Sequence, residues 1–384
     1  MSTQGGPLAG GKIDVGILGA TGTVGQQFIA LLADHPWFRV SWLAASERSA
    51  GKRYADLSWR LPSALPADVA RLEVAPLDAI DKSPSILFSA LDSSVAGDAE
   101  TAYAAAGRLV VSNAKNHRMD PLVPLLIPEV NPDHLALLDD QRQARGLKGT
   151  GGIVTNPNCS AVNIAIVLAA LRQFEITKMM VTTLQALSGA GYPGVASLDA
   201  LGNVIPYIGG AEEEKIETET RKLLGTYESG AVRFAPFVVS ATTTRVPVPD
   251  GHTAVISLEL AKKPSIEDVS AALASFTAEP QQRALPLAPV PPIVVHPNQD
   301  RPQPRLDVNL GRGMTVTVGR VRPCPILGYK LVALGHNVVR GAAGAALLNA
   351  ELIVARQRSG SAQAKSERDL EAVASASQVG AKQA

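Results

Sequence analysis

The sequence predicts an α/β protein: a Rossmann-type dinucleotide-binding domain followed by an α+β domain with a mixed sheet. Three features point there. The chain opens with a strand, a glycine turn, a helix and a second strand over residues 12–46. Strand-like and helix-like pieces keep alternating to about residue 156. Beyond Cys159, β-patterned runs follow one another without long helices between them, as an antiparallel or mixed sheet requires. A length of 384 residues suits two cores better than one. The apolar fraction is 46% but aromatics are only 4%, so the core must rest on Ala, Val, Leu and Ile.

Taken in order, Lys12–Leu18 (KIDVGIL) is a β-prone run and Gly19–Gly25 (GATGTVG) a glycine-rich turn. QQFIALLADHP is an apolar-striped helix ending near Pro36, and Arg39–Ser46 is the second strand. Ser85–Leu91 reads as a strand, Gly97–Gly107 as an Ala-rich helix and Arg108–Ala114 as the next strand. Leu125–Asn131 begins another ordered piece, NPDHLALLDDQRQARG has a helical start and spacing, and GGIVTNPNCS ends a strand in a turn. The first domain therefore spans 12–156. SAVNIAIVLAALRQF is a buried helix; KMMVTTLQALS, VRFAPFVVSATTTRVPV, HTAVISLELAK and RGMTVTVGRVR are strands; AEEEKIETETRKLLG and IEDVSAALASF are helices. Residues 280–305 are Pro-rich and read as an irregular connection. A helix of about 337–356 is expected to return and complete the first domain, leaving 157–336 as the second. Residues 1–11 and 357–384 read as flexible tails, with at most a weak helix over 365–376.

Composition narrows the function. Net charge is +1, from 36 basic and 35 acidic residues, and no basic stripe is interleaved with aromatics, which argues against nucleic acid. Two cysteines without a Cys-x-x-Cys provide neither a disulfide framework nor a zinc site, so no metal is expected. No signal peptide or membrane-spanning run is visible, so the expected location is cytoplasmic, with no membrane partner.

Gly19, Gly22 and Gly25 are spaced G-x-x-G-x-x-G between a strand and a helix, a context in which bare backbone and a helix N-terminus accept a pyrophosphate. A tight packing turn is the plainer alternative. After the second strand come Ser46, Glu47, Arg48 and Ser49. Glu47 suits a ribose diol, but Arg48 between two hydroxyls suits a ribose 2′-phosphate better, so NADP(H) is the favoured coenzyme.

Cys159 stands where a long apolar helix begins, after Pro157 and Asn158. A helix N-terminus is expected to depress its thiol pKa; the competing reading is a buried, inert cysteine. A thiolate nucleophile needs an imidazole, and among six histidines the residues alone leave His252, at a strand entrance, and His117, in a basic loop, as rivals. Gln185 and Ser188 close a strand and enter the loop GAGYPG, while Arg118 and Arg245 fit a substrate carrying a carboxylate and a phosphate. Glu212 and Lys215 share a helix face, which is also what a solvated helix start looks like.

The segments GATGTVGQ, AASERSAGKRY, VSNAKNHR, LLIPEVN, TNPNCS, LQALSGAGYPG, EEEKIETE, VPVPDGHT, DRPQPRLD and HNVVRGAAG resemble, in order, those of aspartate-β-semialdehyde dehydrogenases of the archaeal and fungal branch, over residues 12 to 355. The resemblance implies NADPH-dependent reduction of aspartyl phosphate to aspartate semialdehyde with release of phosphate, a step toward lysine (through diaminopimelate), threonine, methionine and isoleucine. It implies Cys159 as acyl-enzyme nucleophile, His252 as acid/base partner and Gln185 as the residue orienting the acyl group. Arg245 would hold the substrate carboxylate, Glu212 and Lys215 the substrate end, and Arg118 the phosphate. Gly19, Thr21, Gly22, Thr23 and Val24 would form the nucleotide loop, Ser46, Arg48 and Ser49 the 2′-phosphate loop, and Ser188, Gly189 and Asn337 the nicotinamide side. The second domain would be catalytic and dimerising, in a homodimer or homotetramer. A malonyl-CoA reductase of the same branch, an N-acetyl-glutamyl-phosphate reductase and a non-catalytic NADP sensor are the alternatives.

Overall fold

The computed structural model describes Leu8 and residues 10–359. The apolar run Ile13–Leu18 forms β1, and the chain turns at Gly19 with a φ of +75°, a left-handed conformation that side chains resist. Helix α1 (Thr23–Leu32) follows, and β2 (Phe38–Ala44) returns parallel to β1. Then come β3 (Val74–Ala75), β4 (Ile86–Ser89), α2 (Ser93–Ala105), β5 (Leu109–Ser112), α3 (Leu137–Arg145) and β6 (Gly152–Thr155). The six strands make one parallel sheet in the order β3-β2-β1-β4-β5-β6. Every residue of β4, β5 and β6 is buried, which is why these strands read as unbroken rather than alternating runs. The order reverses beside β1, so the crevice at its carboxyl end, where the glycine turn lies, is the position at which such sheets take ligands.

Helix α4 (Cys159–Leu171) is apolar on all sides and buried along almost its whole length. After it come β7 (Ile176–Gln185), the one-turn α5 (Ser197–Ala200), α6 (Glu212–Leu223), the small hairpin β8 (Thr226–Glu228) and β9 (Ala231–Arg233), β10 (Val238–Arg245), β11 (His252–Leu260), α7 (Ile266–Ala274), the short α8 (Glu279–Gln282), β12 (Ile293–His296), the short α9 (Pro304–Asp307), β13 (Val316–Cys324) and β14 (Gly328–Gly335). The second sheet runs β10-β7-β11-β14-β13-β12. It is mixed, as expected: its two outer pairs are parallel and the rest antiparallel. Helices α4, α6 and α7 pack against it. Along β7, Met179, Val181 and Thr183 are buried while Lys178, Met180 and Thr182 stay exposed.

Register gathers chemistry at one end of this sheet. Gln185 pairs with Arg245 at the carboxyl ends of parallel β7 and β10, and antiparallel β11 begins beside them with His252. Three polar side chains far apart in sequence therefore leave the same edge.

Several boundaries differ from the sequence reading. Helix α2 starts at Ser93, not Gly97, because the Asp92 carboxylate accepts the Ser94 N–H and caps it. The run read as one strand from Val232 is split into β9 and β10. The Pro-rich connection hides β12: Ile293–His296 is a short β-branched run between prolines and takes an edge position, where proline is tolerated. Strand β14 was not foreseen. The returning helix is entered through a π turn, Val339–Ala343, and runs over residues 344–359, past the expected end near 356. Its Ala346, Leu347, Ala350 and Val354 join Val15, Ile17 and Phe28 in the core of the first sheet. Leu8 packs on that core, whereas residues 1–7, 9 and 360–384, with the weak helix considered over 365–376, lie outside the described residues. No described helix is long and apolar enough to cross a membrane.

Candidate active site

The glycine turn is fixed from two sides. The N–H groups of Gly19 and Ala20 donate to the Ala44 carbonyl at the end of β2, and the Tyr54 hydroxyl donates to the Ala20 carbonyl at 2.6 Å. A side chain on Gly25 would strike the Gly19 carbonyl, so that glycine serves the close packing of α1 on the turn. Gly22 differs: a Cβ there would meet only the Gly19 oxygen, at 3.5 Å, so the protein's own packing leaves room in front of it. No side chain caps α1, so the helix start presents its backbone N–H groups to that space. Bare backbone, open space and an uncapped helix start fit a dinucleotide pyrophosphate. Thr21 belongs to the same turn. Ser46 and Arg48 are exposed on the loop leaving β2, and Ser49 donates its N–H to the Ser46 carbonyl.

From Thr23 and Val24 a cavity of ≈ 470 Å³ extends to the amino end of α4, with Cys159 in its wall. Of the residues singled out from sequence, Arg118, Gln185, Ser188, Gly189, Glu212, Lys215, Arg245 and Asn337 line it too. Asn337 links two loops, accepting from the Gly251 N–H at 2.9 Å and donating to Ser188 Oγ at 2.8 Å. His252 lies just behind the wall: a Cβ on Gly189 would come within 2.8 Å of its Cε1 and 2.7 Å of Arg245 Nη1. The rival His117 is turned to helix α2, with Nε2 at 3.3 Å from the Gly97 carbonyl and 3.7 Å from Glu100.

Helix α6 supplies the polar floor. Glu212 is buried and accepts from Asn158 Nδ2 at 2.7 Å, Gln185 Nε2 at 3.1 Å and Lys215 Nζ at 3.3 Å. Asn158 Oδ1 in turn accepts the N–H groups of Ser160 and Ala161, capping α4, the helix that opens with Cys159. Asn113, Lys115, Asn158 and Gly341 also line the cavity and were not picked from the sequence, although each lies inside one of the quoted motifs. Glu212 and Lys215 are thus part of the cavity wall, not a solvated helix start.

The expected depression of the Cys159 thiol is not what the site produces. Burial, then the Glu212 carboxylate, push it up to about 12; Arg118, Arg245 and the Ser160 N–H pull the other way and lose. Cys159 is nevertheless partly exposed, in the wall of the cavity. Cys324 is shifted down by backbone N–H donors of the β13–β14 turn, Leu327 foremost. His252 is held neutral: burial first, then Arg245 and His336, lower it to about 3. The Ala186 N–H donates to its Nδ1 at 3.1 Å, so the neutral ring carries its proton on Nε2, a buried atom with no partner in the protein.

Family models describe the two halves of the chain as the NAD-binding domain of semialdehyde dehydrogenases, over residues 14–138, and their dimerisation domain, over residues 168–340. The chain is 50% identical over 356 residues to an aspartate-semialdehyde dehydrogenase of Cryptococcus neoformans, an alignment covering 89% of this chain and 97% of that protein. The chain belongs to the aspartate-semialdehyde dehydrogenase family. An archaeal member, from Archaeoglobus fulgidus, is 47% identical over 344 residues, covering 89% of this chain and 98% of its own. Among solved structures of the family, the Candida albicans enzyme with NADP superposes with a TM-score of 0.83 at 41% identity, covering 90% of this chain and 99% of that one. Aspartate semialdehyde dehydrogenase II of Vibrio cholerae, complexed with ASA, gives 0.70 at 26% identity, covering 89% of this chain and 98% of that one. The family resemblance read from the motifs, the α/β architecture and the oxidoreductase class are all borne out.

Proposed function

We propose that this chain is an NADP-dependent aspartate-semialdehyde dehydrogenase that reduces aspartyl 4-phosphate to the semialdehyde and phosphate, reversibly, through a thioester on Cys159. The observation that carries this reading is the single cavity joining the glycine turn to a cysteine ringed by Arg118, Lys215 and Arg245.

Cys159 attacks the acyl carbon; the carbon–oxygen bond to phosphate breaks and the leaving dianion is stabilised by Arg118 and Lys215. Arg245 holds the substrate carboxylate, Glu212 orders the substrate end, and Gln185, tied to Glu212, orients the acyl group. The glycine turn would hold the pyrophosphate of NADP(H), and Ser46, Arg48 and Ser49 its 2′-phosphate; when bound, the coenzyme would supply the hydride. The oxygen on which negative charge develops needs an N–H donor; those of Ser160 and Ala161 are bonded to Asn158, which leaves the Cys159 N–H at the start of α4 for it. His252 is the acid/base partner, and Nε2 is its working atom. Because that nitrogen already bears the proton in the neutral ring, it donates a hydrogen bond to the oxyanion, and the thiol proton of Cys159 passes instead to the departing phosphate, which leaves as hydrogen phosphate. As the carbon–sulfur bond breaks, the aldehyde leaves and the thiolate is restored.

The same proposal includes two domains, 12–156 with the helix of about 337–356, and 157–336. The family models and the packing of the last helix on the first core support the division. It also includes a homodimer or homotetramer in the cytoplasm. The exposed apolar side chains of Met180 on β7, Val238 on β10 and Leu198 and Leu201 support association through the second domain. The family members found lend no support to malonyl-CoA reduction or to a non-catalytic sensor. The test is a substrate panel: NADP- and phosphate-dependent oxidation of aspartate semialdehyde is expected, and NADPH oxidation driven only by malonyl-CoA would refute the reading.

A further inference from the structure

Helix α6 places Glu212, Lys215, Glu219 and Lys222 at intervals of three, four and three, one stripe along a helix. The mechanism above uses the first two. Glu219 is 1% exposed, and both its oxygens are engaged. Oε2 accepts the backbone N–H of Asn158, the cap of the nucleophile's helix, and Oε1 accepts from Arg118 Nη1 at 3.1 Å. The other Arg118 Nη donates to the Asn113 carbonyl at 2.8 Å. One turn further, buried Lys222 donates to the carbonyls of Arg118, Asp120 and Val123, pinning the loop that carries the guanidinium. A single carboxylate thus joins the turn bearing the thiol to the cation assigned to the phosphoryl group.

We infer that Glu219 is a positioning residue of the reaction, fixing the separation of Cys159 and Arg118 so that acyl carbon and phosphoryl group reach their partners together. The inference rests on the proposed role of Arg118. The chemistry of the side chain makes it specific. In Glu219→Gln the amide oxygen still accepts the Asn158 N–H, but the amide NH2 then faces Arg118, donor against donor. The guanidinium loses its register while the helix cap stays. Glu219→Asp keeps the charge on a shorter arm.

The experiment measures steady-state oxidation of aspartate semialdehyde with NADP and inorganic phosphate, alongside thermal melting, for the wild-type, Glu219→Gln and Glu219→Asp full-length enzymes. Glu219→Gln is expected to raise the KM for phosphate by roughly tenfold or more and to lower kcat/KM by about 100-fold, the scale of a 1 Å misplacement, with the KM for NADP unchanged. Glu219→Asp should recover part of the phosphate KM. A purely structural carboxylate would change melting without separating phosphate from NADP. A folded Glu219→Gln enzyme with the wild-type KM for phosphate overturns the inference. If Glu219→Gln does not fold, Glu219→Asp decides: a raised phosphate KM supports the inference and an unchanged one overturns it. A wild-type enzyme without phosphate-dependent turnover removes the proposed function itself, and the inference with it.

Discussion

Gly341 lies directly against Cys159: a Cβ placed on Gly341 would come within 2.7 Å of the Cys159 Cβ and 3.0 Å of its Cα. The contact comes from the π turn Val339–Ala343, whose extra residue pushes the chain into the amino end of α4; such bulges recur at functional sites.

Gly341→Ala is therefore expected to displace the backbone of Cys159, the proposed nucleophile, since the obstacle is main chain and Cβ, not a flexible side-chain tip. Turnover should fall by about 100-fold for a shift on the 1 Å scale, while NADP binding, which depends on the glycine turn at the far end of the cavity, stays near wild type. Stopped-flow turnover and a coenzyme titration check both parts. Undiminished kcat would mean that the nucleophile is not held by this contact.

The thiol shift sets the pH dependence of Cys159. A pKa raised to about 12 leaves the free enzyme's thiolate fraction small at neutral pH and growing about tenfold per pH unit. Alkylation by iodoacetamide at Cys159, read by peptide mass spectrometry, should thus keep rising from pH 7 to pH 10. A plateau below pH 8 would show instead that the helix start governs the thiol. Cys159→Ala should abolish turnover and leave melting nearly unchanged.

What could be read from the sequence, and what could not, follows from the range of the interactions. GATGTVG and NPNCS were legible because a glycine turn before a helix and a cap before an apolar helix are local backbone facts. Glu219 and Lys222 were not: on paper they are charges on a charged helix, and only folding turns that stripe inward against Arg118 and Asn158. The direction of the Cys159 shift was misread for a similar reason. The helix start is visible in the sequence, whereas the burial and the Glu212 carboxylate that outweigh it come from the fold. Strand β12 was hidden by its flanking prolines. From the residues alone His252 and His117 stayed rivals, and only the register of β7, β10 and β11 brings His252 to the sheet end that carries Gln185 and Arg245.

Arg340 and Glu129 form a fully buried ion pair, Nη2 to Oε2 2.8 Å, with side chains 1% and 0% exposed. The contact is close, yet its angles leave these atoms without a hydrogen bond, so charge attraction holds it. Glu129→Ala should leave an unpaired buried guanidinium and destabilise the protein by about 3–5 kcal/mol in denaturant melts. The double variant Glu129→Leu with Arg340→Met should recover much of that loss, because both charges leave together. If the double variant is no more stable than the single one, the pair is needed for the shape of the π turn and not only for charge balance.

The last prediction concerns coenzyme choice. Arg48 is exposed on the loop leaving β2, and that loop is joined to the glycine turn through the Ala44 carbonyl, which accepts from Gly19 and Ala20. A 2′-phosphate held there gains charge-assisted hydrogen bonds that a plain ribose cannot make. Losing one such interaction costs about 1.5–3 kcal/mol, or roughly 10- to 100-fold in affinity. Arg48→Ala should accordingly raise the KM for NADPH by that factor and leave the KM for NADH almost unchanged. Melting should not move, since Arg48 packs against nothing that folding needs. Glu47, its neighbour, provides the contrast: Glu47→Ala removes a carboxylate that repels the 2′-phosphate and should lower the KM for NADPH slightly, if it changes at all. Equal losses with both coenzymes in Arg48→Ala would place the 2′-phosphate elsewhere and leave Glu47, the carboxylate that suits a ribose diol, as the residue to read the nucleotide.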